Sequence, residues 1–201
     1  MMKPLRWVLR WALFTLCVAA STARAQAPTA TSDLTSYALD PTHTFVHWEV
    51  LHMNTSTIRG RFDRSRGTVQ FDAKAQRLDL NISIDIASVN SGVPVLDALL
   101  RGSGMLDAAT DPQATFTARE ARFEGEVPRE VIGEFTLRGI RQPLTLKALR
   151  WNCRLNLLFL REVCGGDFEA HIDRSDFGIT HSQPFVADRV RLLIQVEGIR
   201  Q

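Results

Sequence analysis

Along most of the chain beyond Tyr37, apolar and polar residues alternate with the period that puts successive side chains on opposite faces of a β-strand. The clearest stretch is Gly133 to Leu146. Phe135 and Leu137 alternate with Glu134, Thr136 and Arg138, Gly139 to Pro143 reads as a turn, and Leu144 and Leu146 alternate with Thr145 and Lys147, so a β-hairpin is predicted. The strongest single strand is Leu78 to Ile86, where Leu78, Leu80, Ile82, Ile84 and Ile86 face away from Asp79, Asn81, Ser83 and Asp85. Thr44 to His52 forms the first long strand, with Val46, Trp48, Val50 and His52 on one face and Phe45, His47, Glu49 and Leu51 on the other. Short arms are expected over Ile58 to Phe62 and Gly67 to Phe71, with Asp63 to Arg66 turning between them.

The pattern changes at Pro94 to Arg101, where Val95, Leu96, Leu99 and Leu100 predict a short helix with proline in its first turn, and a second helical piece is expected around Ser103 to Ala109. Extended structure resumes after Pro112 with Ala114, Phe116 and Ala118 on one face. The second hairpin arm runs on to Trp151. Two further arms carry Phe168, Ala170 and Ile172, then Val190, Leu192, Ile194 and Val196, with Leu193 breaking the alternation. No helix is long enough to cover a sheet, so the fold class is all-β and antiparallel, either a two-sheet sandwich or a closed barrel. Strands of about nine residues, against a typical five or six, favour the barrel. A barrel of about eight strands either fills its lumen with side chains or holds one small ligand.

Residues 1–25 stand apart. Lys3, Arg6 and Arg10 precede an apolar run from Trp11 to Ala20, and Ala23-Arg24-Ala25 offers a cleavage site, so a cleaved secretory signal is expected. Residues 26–36 read as a flexible tether and 37–201 as one folded domain. Cleavage would remove Lys3, Arg6, Arg10 and Arg24, taking 24 basic and 22 acidic side chains, +2, to 20 against 22, −2. That balance argues against a nucleic-acid partner, which would need a basic field. Cys17 lies within the signal after a bulky Leu16 and is not read as a lipid attachment site.

Cys153 and Cys164 then remain, and in an exported chain such a pair is read as a disulfide, worth about 3 kcal/mol for a loop of roughly 12 residues. The sequence between them is unusually apolar for a connector. It reads as a lid across a barrel mouth, a membrane-touching patch, a dimer contact, or a loop folded back on its own barrel.

The sequence offers little chemistry. There is no G-x-S-x-G and no Gly-rich phosphate loop, Gly165-Gly166 beside a cysteine notwithstanding. His43, His47 and His52 share a strand region but not a face, which argues against a zinc site, and Asp173-Arg174-Ser175-Asp176 reads as a charged turn. Neither an enzyme, nor a metal, nor a cofactor is expected.

From Tyr37 to Ile199 the chain resembles the YceI-like proteins, exported bacterial proteins with an extended, lipocalin-like β-barrel. The resemblance rests on Tyr37-Ala38-Leu39-Asp40 with His43; Val46, Trp48, Val50 and His52; Gly60-Arg61-Phe62; Ala87-Ser88-Val89; Leu100-Arg101; Asp111 to Phe116; the central hairpin; Asp173 to Gly178; and the closing Val196-Glu197-Gly198. It implies a lumen for a long apolar molecule, a polyisoprenoid, isoprenoid quinone or acyl chain, carried for transport or sequestration in the periplasm. The residues expected at that ligand are Val46, Trp48, Val50, His52, Ile82, Ile84, Leu99, Phe116, Phe135, Leu144, Leu146, Phe168, Ile172, Leu192 and Ile194. The helical insertion departs from the family pattern: Leu99, Gly104 and Asp111 stand where the family usually has a histidine, an acidic residue and an aromatic. That favours a more wholly apolar ligand and leaves Arg101 as the polar contact to test. The alternative is an interaction module for a membrane redox or stress-response partner, with transient membrane contact or a homodimer through its loops.

Overall fold

The computed structural model describes residues 34–158 and 160–201. The expected signal, most of the expected tether and Phe159 lie outside the described residues. Eleven strands follow in order: β1 (Thr35–Leu39), β2 (Phe45–His52), β3 (Ser56–Phe62), β4 (Ser65–Asp72), β5 (Arg77–Asp85), β6 (Val89–Asn90), β7 (Gln113–Glu124), β8 (Val127–Leu137), β9 (Ile140–Asn156), β10 (Arg161–Asp173) and β11 (Val186–Arg200). One helix, α1 (Pro94–Arg101), interrupts them, with 3-10 turns at Ile86–Ser88 and Arg174–Phe177. β1 thus opens two residues inside the expected tether, pairing Thr35 with Phe71 and Ser36 with Gln70.

Eight strands close an antiparallel β-barrel in the order β1-β4-β5-β7-β8-β9-β10-β11, and β11 returns to β1. The closure depends on β11 serving two strands in turn. Near its C-terminus it pairs Gly198 with Leu39 of β1, and further back it pairs residues from Gln195 to Val186 with β2, Phe45 to His52. β1 and β2 therefore lie end to end on β11. β3 and β4 likewise continue one another, with Asp63 and Arg64 as the break: β3 pairs with β2 and briefly with β6, β4 with β1 and β5. Alternation does the rest. Leu78, Leu80 and Ile84 of β5, Ala114, Phe116 and Ala118 of β7, and Phe135 and Leu137 of β8 are all buried on the inner face.

Ile86 leaves the strand that its alternation extends. It opens a 3-10 turn because the Asp85 carboxylate accepts the Ala87 N–H at 2.9 Å, and it becomes one of the most deeply buried side chains, 0% exposed. The central hairpin turns on two residues rather than five. Arg138 (φ 53°) and Gly139 (φ 70°) both adopt the left-handed conformation that a tight hairpin requires, Leu137 pairs with Ile140, and Pro143 sits inside β9 opposite Glu134. The length of that ladder outweighs the one donor that proline lacks.

The segment after α1 forms turns and no second helix. Leu106 N–H donates to the Leu100 carbonyl and Asp107 N–H to that of Gly102, while the Arg138 guanidinium clamps the Ser103 carbonyl at 2.8 Å and that of Met105. This insertion and the Arg174–Phe177 turn stand at one end of the barrel, and the β9–β10 tip stands at the other. Cys153 and Cys164 face each other directly across β9 and β10 and form the expected disulfide, Cα to Cα 4.0 Å. The sequence between them is therefore the continuation of a hairpin, with Asn156 and Arg161 its last pair.

Candidate functional site: an apolar lumen

The inner face encloses a cavity of about 230 Å³ that runs along the barrel. On β8 alone, Pro128 near one end and Leu137 near the other both line it. Nine strand steps between them span about 30 Å, or about 20 to 25 Å along the axis for strands tilted as barrels require. The wall is almost wholly carbon. Several inward side chains, among them Ile82, Leu146, Ile172 and Ile194, are only half-buried although they point into the barrel, because they border empty space.

At the β9–β10 tip end an aromatic cluster narrows the lumen. Phe71 meets Trp151 edge-on with ring centroids 5.4 Å apart, Phe123 stacks on Phe71 at 6.1 Å, and Trp151 meets Phe168 at 6.1 Å. At the insertion end the wall is completed by Leu100, Met105 and Leu106, with Ile179 from the loop after Gly178. None of the α1 residues is fully buried, so this cover is light.

Of the residues expected at a ligand, Val46, Trp48, Val50, Ile82, Ile84, Phe116, Phe135, Leu144, Leu146, Phe168, Ile172, Leu192 and Ile194 stand on the lumen wall. His52 and Leu99 do not. His52 is the last residue of β2, two residues past the inward Val50, and pairs with Ser56 and Val186 at the rim. Leu99 is 46% exposed: α1 turns Leu96 and Leu100 toward the barrel and leaves Val95 and Leu99 one turn apart on the solvent side. The four apolar positions form one stripe, of which only the Leu96–Leu100 edge is half-buried. Arg101 does not reach the lumen either. Its Nε donates to the Ala87 carbonyl and its Nη2 to that of Val89, both at 2.9 Å, strapping α1 to the turn before β6.

The sequence reading missed part of the wall. Tyr37, Phe62, Phe71, Leu78 and Leu80 line the cavity, and their inward parity was legible in the strands. Met105, Leu106 and Ile179 come from loops, where no periodicity marks them. Gly60 has a packing reason. A Cβ there would lie 2.2 Å from Cζ2 of Trp48, so the glycine makes room for the indole to lie flat across β3.

Polar atoms on the wall are few and mostly engaged. Thr44 Oγ1 accepts the Glu197 N–H and donates to the Glu197 carbonyl, each at 3.3 Å. Trp48 Nε1 and Ser65 Oγ are buried without a hydrogen-bond partner. Arg174 is 5% exposed and lines the cavity, yet its guanidinium is spent on the backbone: Nε donates to Ala187 O at 2.9 Å, Nη1 to Ile179 O at 3.1 Å and His181 O at 2.7 Å, and Nη2 to Val186 O at 3.0 Å. Burial lowers its pKa from the usual value, with Asp188 opposing that effect. The expected charged turn is present at Arg174–Phe177, and its arginine is a buried clamp on the segment from Ile179 to Ala187.

Outside the barrel wall, Asp40, His43 and Glu197 place donor atoms within 4.8 Å of one another. The His43 Nδ1 to Asp40 Oδ2 bond of 2.7 Å and the Thr42 N–H on Asp40 at 2.8 Å account for this cluster as a hydrogen-bonded turn.

The YceI-like domain family matches residues 37–198 of the chain. Protein YceI of Salmonella newport is 32% identical over 160 residues, covering 79% of this chain and 83% of that protein. Among solved structures, BcnA of Burkholderia cenocepacia superposes with a TM-score of 0.65 at 25% identity, covering 79% of this chain and 98% of its own. A polyisoprenoid binding domain from Saccharophagus degradans superposes with a TM-score of 0.59 over 83% of this chain and 99% of its own, and at 17% identity it shares the fold.

Proposed function

The chain belongs to the YceI-like domain family, and we propose that its lumen holds one long apolar chain, a polyisoprenoid, isoprenoid quinone or acyl chain, for transport or sequestration in the periplasm. The observation that carries this is the continuous carbon wall from the aromatic cluster at one end to Leu100 and Met105 at the other. At about 0.8 kcal/mol for each methylene removed from water, a dozen carbons supply ample gross affinity before association costs. The solved polyisoprenoid binding domain with this fold supports the ligand class. The engagement of Arg174 and Arg101 with backbone carbonyls leaves neither guanidinium free to attract an anionic head group, which supports a ligand apolar over most of its length. The proposed role is binding, with no chemical step. The Cys153–Cys164 disulfide supports an oxidising compartment.

Native mass spectrometry of the purified protein, before and after organic extraction, tests the reading. A bound chain-type lipid, and uptake of a polyprenol by the extracted protein, are expected. Protein that carries no organic molecule and takes up no chain ligand would overturn it.

A further inference from the structure

The β9–β10 tip projects beyond its neighbours. Pairing of β8 with β9 stops at Glu130 and Lys147, and pairing of β10 with β11 stops at Val163 and Ile199, so the β9–β10 ladder continues past them as a two-stranded finger with Arg200 and Gln201 beside its base. Two-stranded hairpins are marginal alone. Here the Cys153–Cys164 disulfide staples the base.

What the finger presents is apolar: Leu155 is 58% exposed, Leu157 77%, Leu158 88% and Leu160 76%. Its base is basic. Arg150, Arg154 and Arg161 are the charged residues between Ala148 and Arg161, with no Asp or Glu among them. Arg150 pairs with Asp167 at 3.8 Å, and Glu162, next after Arg161, is held by the Tyr37 hydroxyl at 2.5 Å and by Arg200 at 3.9 Å, which leaves Arg154 and Arg161 as the arginines of the finger itself. Leucines on a projecting tip with arginines one layer behind match the two layers of a bilayer surface, acyl chain and anionic phosphate. A second copy of this chain fits less well. A stable dimer buries about 800 Å² on each partner, which a narrow finger does not supply.

We propose that the β9–β10 finger is a membrane-docking element that inserts its leucines into an anionic phospholipid surface while Arg154 and Arg161 engage the phosphates. The proposal goes beyond the lumen reading and stands on a different surface. Co-sedimentation of the purified protein with phosphatidylethanolamine–phosphatidylglycerol vesicles tests it, with phosphatidylcholine vesicles as the uncharged arm. Binding to the anionic vesicles is expected, weakened by salt, with hydrogen-exchange protection of the amides from Leu155 to Leu160 when vesicles are added. Leu157→Ser with Leu158→Ser should weaken binding about tenfold or more, and Arg154→Gln with Arg161→Gln should weaken it on anionic vesicles while leaving the weaker phosphatidylcholine binding in place. Both pairs are exposed, so melting temperatures should not move. Failure to sediment with anionic vesicles at low salt, equal binding by the leucine variant, or vesicle protection confined to other segments would overturn the proposal. So would a leucine variant whose only change is the loss of a dimer. Polyprenol uptake in the absence of vesicles reads the lumen separately.

Discussion

A guanidinium with four backbone carbonyls around it and 5% exposure does the work of a small core at Arg174. Replacing it with methionine keeps the volume but orphans those carbonyls in a buried place, so Arg174→Met should cost about 3 to 5 kcal/mol in urea unfolding. Asp188, near the start of β11, ties the same turn down: it accepts the Ser175 N–H at 2.9 Å, the Ser175 hydroxyl at 2.6 Å and the Gln183 amide at 2.9 Å. The Ser175 hydroxyl bond, followed by the other contacts and opposed by burial, holds its pKa below the ordinary carboxylate value. A depressed folded-state pKa contributes stability that is fully present above the unfolded value, near 4, and is lost as pH falls through the folded one. Melting temperature measured from pH 7 down to 3 should therefore drop below about pH 4, and Asp188→Asn should be less stable at neutral pH with a shallower acid drop. None of this was legible in Asp173-Arg174-Ser175-Asp176, which as a sequence is an ordinary charged turn. A charged residue declares its burial only through its partners, here carbonyls from Ile179 to Ala187 in a following segment that has no alternation to mark its fold.

The strands were legible because each is wet on one side and dry on the other, and that asymmetry is written into the residues themselves. Helix α1 was legible in its bounds and illegible in its orientation: Val95, Leu96, Leu99 and Leu100 form one apolar stripe about 140° wide, and the barrel takes only its Leu96–Leu100 edge. The expected five-residue turn failed for a different reason. Pro143 and the polar residues around it carry turn chemistry, but Arg138 and Gly139 alone satisfy the tight hairpin, and the ladder then runs through the proline. The Cys153–Cys164 pair was legible as a bond but not as a cross-strand staple. Because it closes a sequence separation of 11, its reduction should lower stability by about 3 kcal/mol, read as a shift of the urea midpoint with and without reductant. The change should be accompanied by faster amide exchange in the finger while β4, β5 and β7 keep their protection.

At the scale of the molecule, alternation cannot separate a filled barrel from an open one, because core and wall require the same inward apolar residues. Closure itself rests on β11 changing partner from β1 to β2, a long-range arrangement that no local pattern records. One substitution pair distinguishes wall from core. Ile82 on β5 and Leu146 on β9 both point inward and both remain half-buried beside the cavity. If their surroundings were close-packed, Ile82→Phe with Leu146→Phe would overpack them at about 1 to 3 kcal/mol for each site. If they border a lumen of about 230 Å³, the added ring carbons enter empty space and find van der Waals partners there. Phenylalanine brings no buried donor that would need a partner. The ligand-free double variant should then melt at or above the unsubstituted protein's temperature, while polyprenol uptake falls about tenfold or more because the added carbons occupy the ligand's volume. A melting temperature lowered by several degrees with uptake unchanged would make these two residues core, and the lumen beside them too small to be the site.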